Sequence, residues 1–161
     1  MIRHFTSTVF VVQKNKIALH WHEKVKYWLP PGGHVEPNED PIQTAFRECK
    51  EEMGIEITIF SKSKYIFTDN GLKNISPPET ILIEAVSDEE IGDHEHIDFI
   101  YFGYPKSKTF TLDSKWIWVD KDSLIKNQRF KTLHGTYESP PKDVIEIGIN
   151  AINSLKSLQD T

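Results

Sequence analysis

The chain reads as an α/β domain, a mixed sheet with two helices packed on it. Three observations predict this. Short segments rich in β-branched and aromatic residues recur along the chain, at 6–12, 17–21, 80–86, 96–104 and 115–119. One helix, over 41–53, carries its own start and stop signals. A second amphipathic helix closes the sequence from Pro141, with Val144, Ile145, Ile149, Ile152 and Leu155 on its apolar stripe. With 161 residues, 38% hydrophobic and 27% charged, the chain fits a single domain over 1–161 that can bury a core.

Taken in order, residues 6–12 and 17–21 form a hairpin around the polar stretch 13–16. Residues 25–29 add a short strand, stopped by Pro30 and Pro31, which lack backbone donors. Gly32 and Gly33 then form a turn whose backbone can approach whatever the helix binds. In the helix, Asp40 is the N-cap, Pro41 takes the first position, and Gln43 completes a capping box. Gly54 supplies the left-handed residue that ends it. Ile42, Ala45, Phe46, Cys49 and Met53 make its buried stripe.

Beyond the helix, 56–60 and 64–67 are further strands and 71–79 is a loop broken by Asn74, Pro77 and Pro78. The near-continuous apolar run at 80–86 predicts a central strand. Residues 87–95 form an acidic loop and 105–112 a lysine-bearing one. In 96–104, Ile97, Phe99 and Tyr101 face opposite to Asp98, Ile100 and Phe102. A capped helical turn follows at 120–124.

The helix carries the chemistry. Glu48, Glu51 and Glu52 stand at i, i+3 and i+4 on one face, and like charges at that spacing destabilise a helix. Arg47 is one cation among these three and Glu39, so a hard divalent ion is the natural remainder. The fixed positions Gly33, Glu39, Arg47, Glu48, Glu51, Glu52 and Gly54, with apolar Met53 and Ile55, resemble the Nudix box over residues 33–55. Cys49 departs mildly from it, standing where a larger aliphatic is usual.

The resemblance implies an α/β/α sandwich and metal-dependent hydrolysis of a nucleoside diphosphate linked to another group. It makes Glu48 and Glu52 the central ligands of Mg²⁺ or Mn²⁺, with the Gly33 carbonyl as a further one. Glu51 is ligand or base. Glu39 is expected to pair with Arg47, which counts with Glu48 and Glu51 among the catalytic candidates. Gly32 and Gly33 are expected beside the substrate. Trp28 could stack on a base or fill the core, and Glu36 could reach a metal or be solvated.

His94, Glu95 and His96 form a polar cluster, and three such residues do not define a zinc site without a fourth partner. From it, Glu95 is the candidate general base from outside the box. A nucleoside triphosphate is the first expected substrate; an ADP-sugar or dinucleoside polyphosphate is the second. An isomerase using a catalytic cysteine has the same fold, but the only cysteine, Cys49, lies on the apolar stripe. The rival class is a nucleotide-sensing module without turnover, for which a degraded box or an added basic winged helix is expected. Here the box is intact.

Composition bounds the partners. A net charge of −5 argues against a long nucleic-acid footprint, though not against a nucleotide. No signal peptide or run of roughly 18 apolar residues is visible. The lone cysteine makes a reducing cytoplasm the simplest expected setting. A homodimer, common in the family, stays open.

Overall fold

The strand β1 (Ile2–Gln13) is buried on both faces over most of its second half, and the rest of the fold is laid against it. The computed structural model describes residues 2–63, 71–88 and 92–159. β1 turns through Lys14 and Asn15, both with positive φ, into the antiparallel β2 (Lys16–His22). That turn matches the twist of a right-handed hairpin. β3 (Tyr27–Leu29) extends β2 at its edge. β4 (Gly32–His34) pairs antiparallel with β1, Gly33 opposite Ser7 and His34 opposite Thr6.

The helix α1 (Pro41–Met53) is capped as its sequence predicts. Asp40 accepts from the amides of Ile42 and Gln43, the Gln43 side chain returns to the Asp40 amide, and Gly54 ends the helix at φ 69°. After β5 (Ile57–Phe60), the expected strand at 64–67 lies outside the described residues. The strands β6 (Thr80–Asp88) and β7 (Gly92–Pro105) run antiparallel, while β7 pairs parallel with β1 over ten residues. β8 (Trp116–Asp120) adds to β2, and Asp120 caps the short helix α2 (Lys121–Ile125). A small hairpin of β9 (Phe130–Lys131) and β10 (Tyr137–Glu138) precedes the closing helix α3 (Lys142–Gln159). The hairpin carries no sequence pattern long enough to have been read.

Alternation along β1 divides the core in two. Val9 and Val11 pack with Ala45, Cys49 and Met53 of α1 and with Tyr101 and Trp116. Phe10 and Val12 point the other way, to Val144, Ala151, Ile152 and Leu155 of α3. The mixed sheet is therefore sandwiched between α1 and α3, as expected.

Two expectations are corrected. β6 is not central: among the described residues it pairs only with β7, and Ile81 and Ile83 are exposed. An apolar run cannot distinguish burial on two faces from burial on one. The expected acidic loop at 87–95 is strand over its described residues, because β6 and β7 stay paired as far as Asp88 and Gly92. Among the described residues no helix is long and apolar enough to cross a membrane.

Candidate active site

Gly32 and Gly33 are extended strand rather than turn, and their lack of side chains serves close packing. A β-carbon on Gly32 would lie 2.7 Å from Thr8 Oγ1 and 2.8 Å from the Ser7 carbonyl. A β-carbon on Gly33 would overlap the Glu48 carboxylate. α1 is held over this strand at its start, where Ser7 Oγ donates to the Pro41 carbonyl at 2.8 Å. One face of the helix thus presents its glutamates to the glycine backbone.

Arg47 is the hub. Its Nε and Nη2 donate to the two oxygens of Glu39 at 2.9 and 3.1 Å, a bidentate pair. Nη1 reaches Glu48 at 2.6 Å and Glu51 at 3.2 Å, and Nη2 also donates to the His34 carbonyl at 2.9 Å. The expected Glu39–Arg47 pair is therefore present, and Arg47 also touches two of the three helix glutamates. Thr44 Oγ1 donates to Glu39 at 2.8 Å from a buried position. The Arg47 guanidinium, with Thr44, holds the Glu39 carboxyl down at about 2.

Glu52 is treated differently. Among the described residues it forms no ion pair; the Gly32 amide donates to its Oε2 at 3.1 Å. Burial raises its pKa to about 7, the Gly32 hydrogen bond opposes this, and the charge of Glu48 adds to it. The field of Lys115, at the edge of β8, also reaches it. Glu51 lies at the rim, its side chain 59% exposed. The surfaces of Glu48 and Glu52 toward Gly33 and Gly32 form a half-buried shell of hard oxygen atoms.

Two sequence candidates, Trp28 and Glu95, do not join this constellation. Trp28 is 2% exposed; its indole N–H donates to the Glu138 carbonyl at 3.0 Å, and its ring packs between Trp21 and Phe130. It is a core residue, with no free face for a base. Glu95 accepts from Arg3 Nε at 2.7 Å. The register sets it four residues from the level of Gly33, about 13 Å along the strands, beyond the reach of one bridging water. Glu95 is thus corrected from base to partner of Arg3. Cys49 is fully buried, and burial pushes its thiol far up, which removes the cysteine an isomerase would need.

Four histidines converge on one face of the sheet. The side chains of His94 and His96 project from one face of β7, as period two requires, and they meet His4 from β1 and His34 from β4. Burial lowers the pKa of His34 and takes His96 down to about 4. The spacing His-x-His in a strand was the legible half of this cluster. The other half depended on the parallel register of β1 and β7.

Comparison with known proteins agrees with this geometry. The NUDIX domain family model matches residues 2–137. The asymmetrical bis(5'-nucleosyl)-tetraphosphatase of Mus musculus is 45% identical over 40 residues, covering 25% of this chain and 27% of that enzyme. A probable DHNTP pyrophosphohydrolase of Lactococcus lactis subsp. cremoris (strain MG1363) is 34% identical over 96 residues, 60% of this chain and 51% of that protein. The chain thus spans between about a quarter and a half of the length of these curated relatives. A NUDIX-family hydrolase from Clostridium perfringens superimposes with a TM-score of 0.73 at 27% identity, covering 96% of this chain and 99% of that one. The carboxylate helix, the glycine strand beneath it and the family match over 2–137 together show that the chain belongs to the Nudix hydrolase family.

Proposed function

We propose that the protein is a divalent-metal-dependent pyrophosphohydrolase that cleaves a phosphoanhydride in a nucleoside diphosphate linked to another group. The observation that carries this reading is the pairing of Glu48 with Gly33 and of Glu52 with Gly32. Two carboxylates one helical turn apart face a backbone with no side chains in the way.

The residues fit Mg²⁺ or Mn²⁺. A half-buried Glu52 whose carboxyl is pushed up to about 7 forms no ion pair among the described residues, and all the donors are oxygen. Glu48, Glu52 and the Gly33 carbonyl would hold the ion, with Glu51 as a further ligand. When bound, the ion polarises phosphoryl oxygens and lowers the pKa of a water. Glu51, exposed at the rim and tied among the described residues only to Arg47, is the alternative proton acceptor within the box. Arg47 keeps Glu39, Glu48 and the His34 carbonyl in register, so it positions the carboxylates. The extended backbone of Gly32 and Gly33 lets a polyphosphate lie close to the helix.

A nucleoside triphosphate is the first substrate reading; the Lactococcus relative, which matches over 60% of the chain and is named a probable DHNTP pyrophosphohydrolase, supports pyrophosphohydrolysis of a triphosphate without naming a nucleoside. A dinucleoside polyphosphate is the second, favoured by the name of the mouse relative. The test is a panel of nucleoside triphosphates, dinucleoside polyphosphates and ADP-sugars with Mg²⁺ or Mn²⁺, scored by phosphate or pyrophosphate release. Release that stops with chelator supports the reading. Tight nucleotide binding without turnover would instead make this a sensing module.

A further inference from the structure

We propose that His4, His34, His94 and His96 form a second metal site, separate from the helix glutamates, that takes a divalent transition ion such as Zn²⁺. One ligand nitrogen from each ring lies within 4.8 Å of all the others. Four imidazoles around Zn²⁺ at about 2.0–2.1 Å would set their nitrogens roughly 3.3 Å apart, so modest side-chain rotation closes the shell.

Individual contacts point to a ligand. His94 is 3% exposed, and its Nδ1 lies 2.9 Å from the Gly92 carbonyl. A carbonyl only accepts, so Nδ1 is the donor to it and Nε2 is the ring atom left to present a lone pair. A backbone bond of that kind is how metal-binding histidines are commonly oriented. The lone pair of His94 faces His96 Nε2 at 3.1 Å. Among the described residues the Nδ1 of His4 is buried with no hydrogen-bond partner, an unsatisfied polar atom that a ligand would satisfy.

The donor set selects the ion. Four nitrogens and no carboxylate suit zinc, copper or nickel and are poor for Mg²⁺. His4 and His34 also line an open groove of about 480 Å³ with Phe5, Val35, Glu36 and Pro37, which gives an ion a path in. A bound ion would tie β4 to β1 and β7. His34 is the link to the other site: its side chain belongs to the cluster, while its carbonyl accepts from Arg47.

The test uses full-length protein stripped with chelator and held in millimolar Mg²⁺ to occupy oxygen sites. Zn²⁺ and Co²⁺ are titrated by calorimetry, visible absorption and thermal melting. One equivalent bound, ligand-field bands of nitrogen-ligated cobalt and a raised Tm are expected. His96→Gln should weaken uptake at least about tenfold. His34→Ala, at the exposed member, should do the same in a variant that keeps the core intact. Glu52→Gln should bind Zn²⁺ as wild type does, so failure of the carboxylate reading and of this one are separable. No uptake by wild type, or uptake abolished by Glu52→Gln and kept in His34→Ala, would overturn the proposal.

Discussion

Gly33 and Glu48 are packed so closely that a single methyl group cannot be placed between them. The obstructing atoms belong to the end of a side chain, so Gly33→Ala should displace the Glu48 carboxylate rather than unfold the domain. A displacement of about 1 Å at a reacting centre can lower the rate about a hundredfold. Expected is a loss of that order in kcat with Tm nearly unchanged. Gly32→Ala should behave oppositely in stability, because its β-carbon meets the Ser7 carbonyl and the Thr8 backbone, which cannot swing aside. Overpacking of this kind costs about 1–3 kcal/mol. Melting curves and kcat for the two variants separate the cases.

Glu52→Gln should lower kcat at least about a hundredfold, the scale for removing a key charge-stabilising group. It should also change the pH dependence of stability in metal-free protein. The folded carboxyl titrates near 7 against an ordinary value of 4.5. Its contribution to stability is therefore complete below pH 4.5 and is lost as pH rises through 7. Partial exposure to solvent screens that loss to about 1–2 kcal/mol. Wild type in chelator should lose Tm between about pH 4.5 and 7 and recover it when Mg²⁺ is added, and Glu52→Gln should lose less. Equal slopes for the two proteins would remove Glu52 from the metal shell.

The Arg47–Glu39 bond is bidentate and partly buried, and each partner has further contacts. Arg47→Ala leaves Glu39, Glu48 and Glu51 without their cation and should weaken Mg²⁺ binding and activity together. In a double-mutant cycle with Glu39→Ala the double variant should be less destabilised than the sum of the singles, by about 1–3 kcal/mol. Strict additivity would mean that the pair does not couple. Glu39 titrates near 2 and so contributes above pH 4.5, with the loss expected as pH falls through 2.

Glu95→Gln should turn over as wild type does. Its carboxylate is spent on Arg3, whose side chain is 58% exposed. An ion pair of this kind contributes about 0–1 kcal/mol to stability. A lowered kcat with unchanged KM would return Glu95 to the catalytic set and require β7 to sit differently against β4.

What the sequence determined by itself was local or helical. The cap residues Asp40, Gln43 and Gly54 satisfy groups within a few positions of themselves, so their roles follow from spacing alone. The bond between Glu39 and Arg47, eight residues apart, is set by the same loop and helix. The parallel pairing of β1 with β7 was beyond its reach. That register brings His4 to His96 across 92 residues and leaves Glu95 to Arg3. Gly32 and Gly33 read as a turn because glycine pairs usually are; they pair as strand with Thr8 and Ser7, and a β-carbon would collide with Thr8 at Gly32 and with Glu48 at Gly33. Trp28 could not be assigned to core or site until Glu138, 110 residues on, took its N–H. Backbone capping is decided by neighbours in the chain, whereas partners in a sheet are chosen by which faces the whole fold must bury.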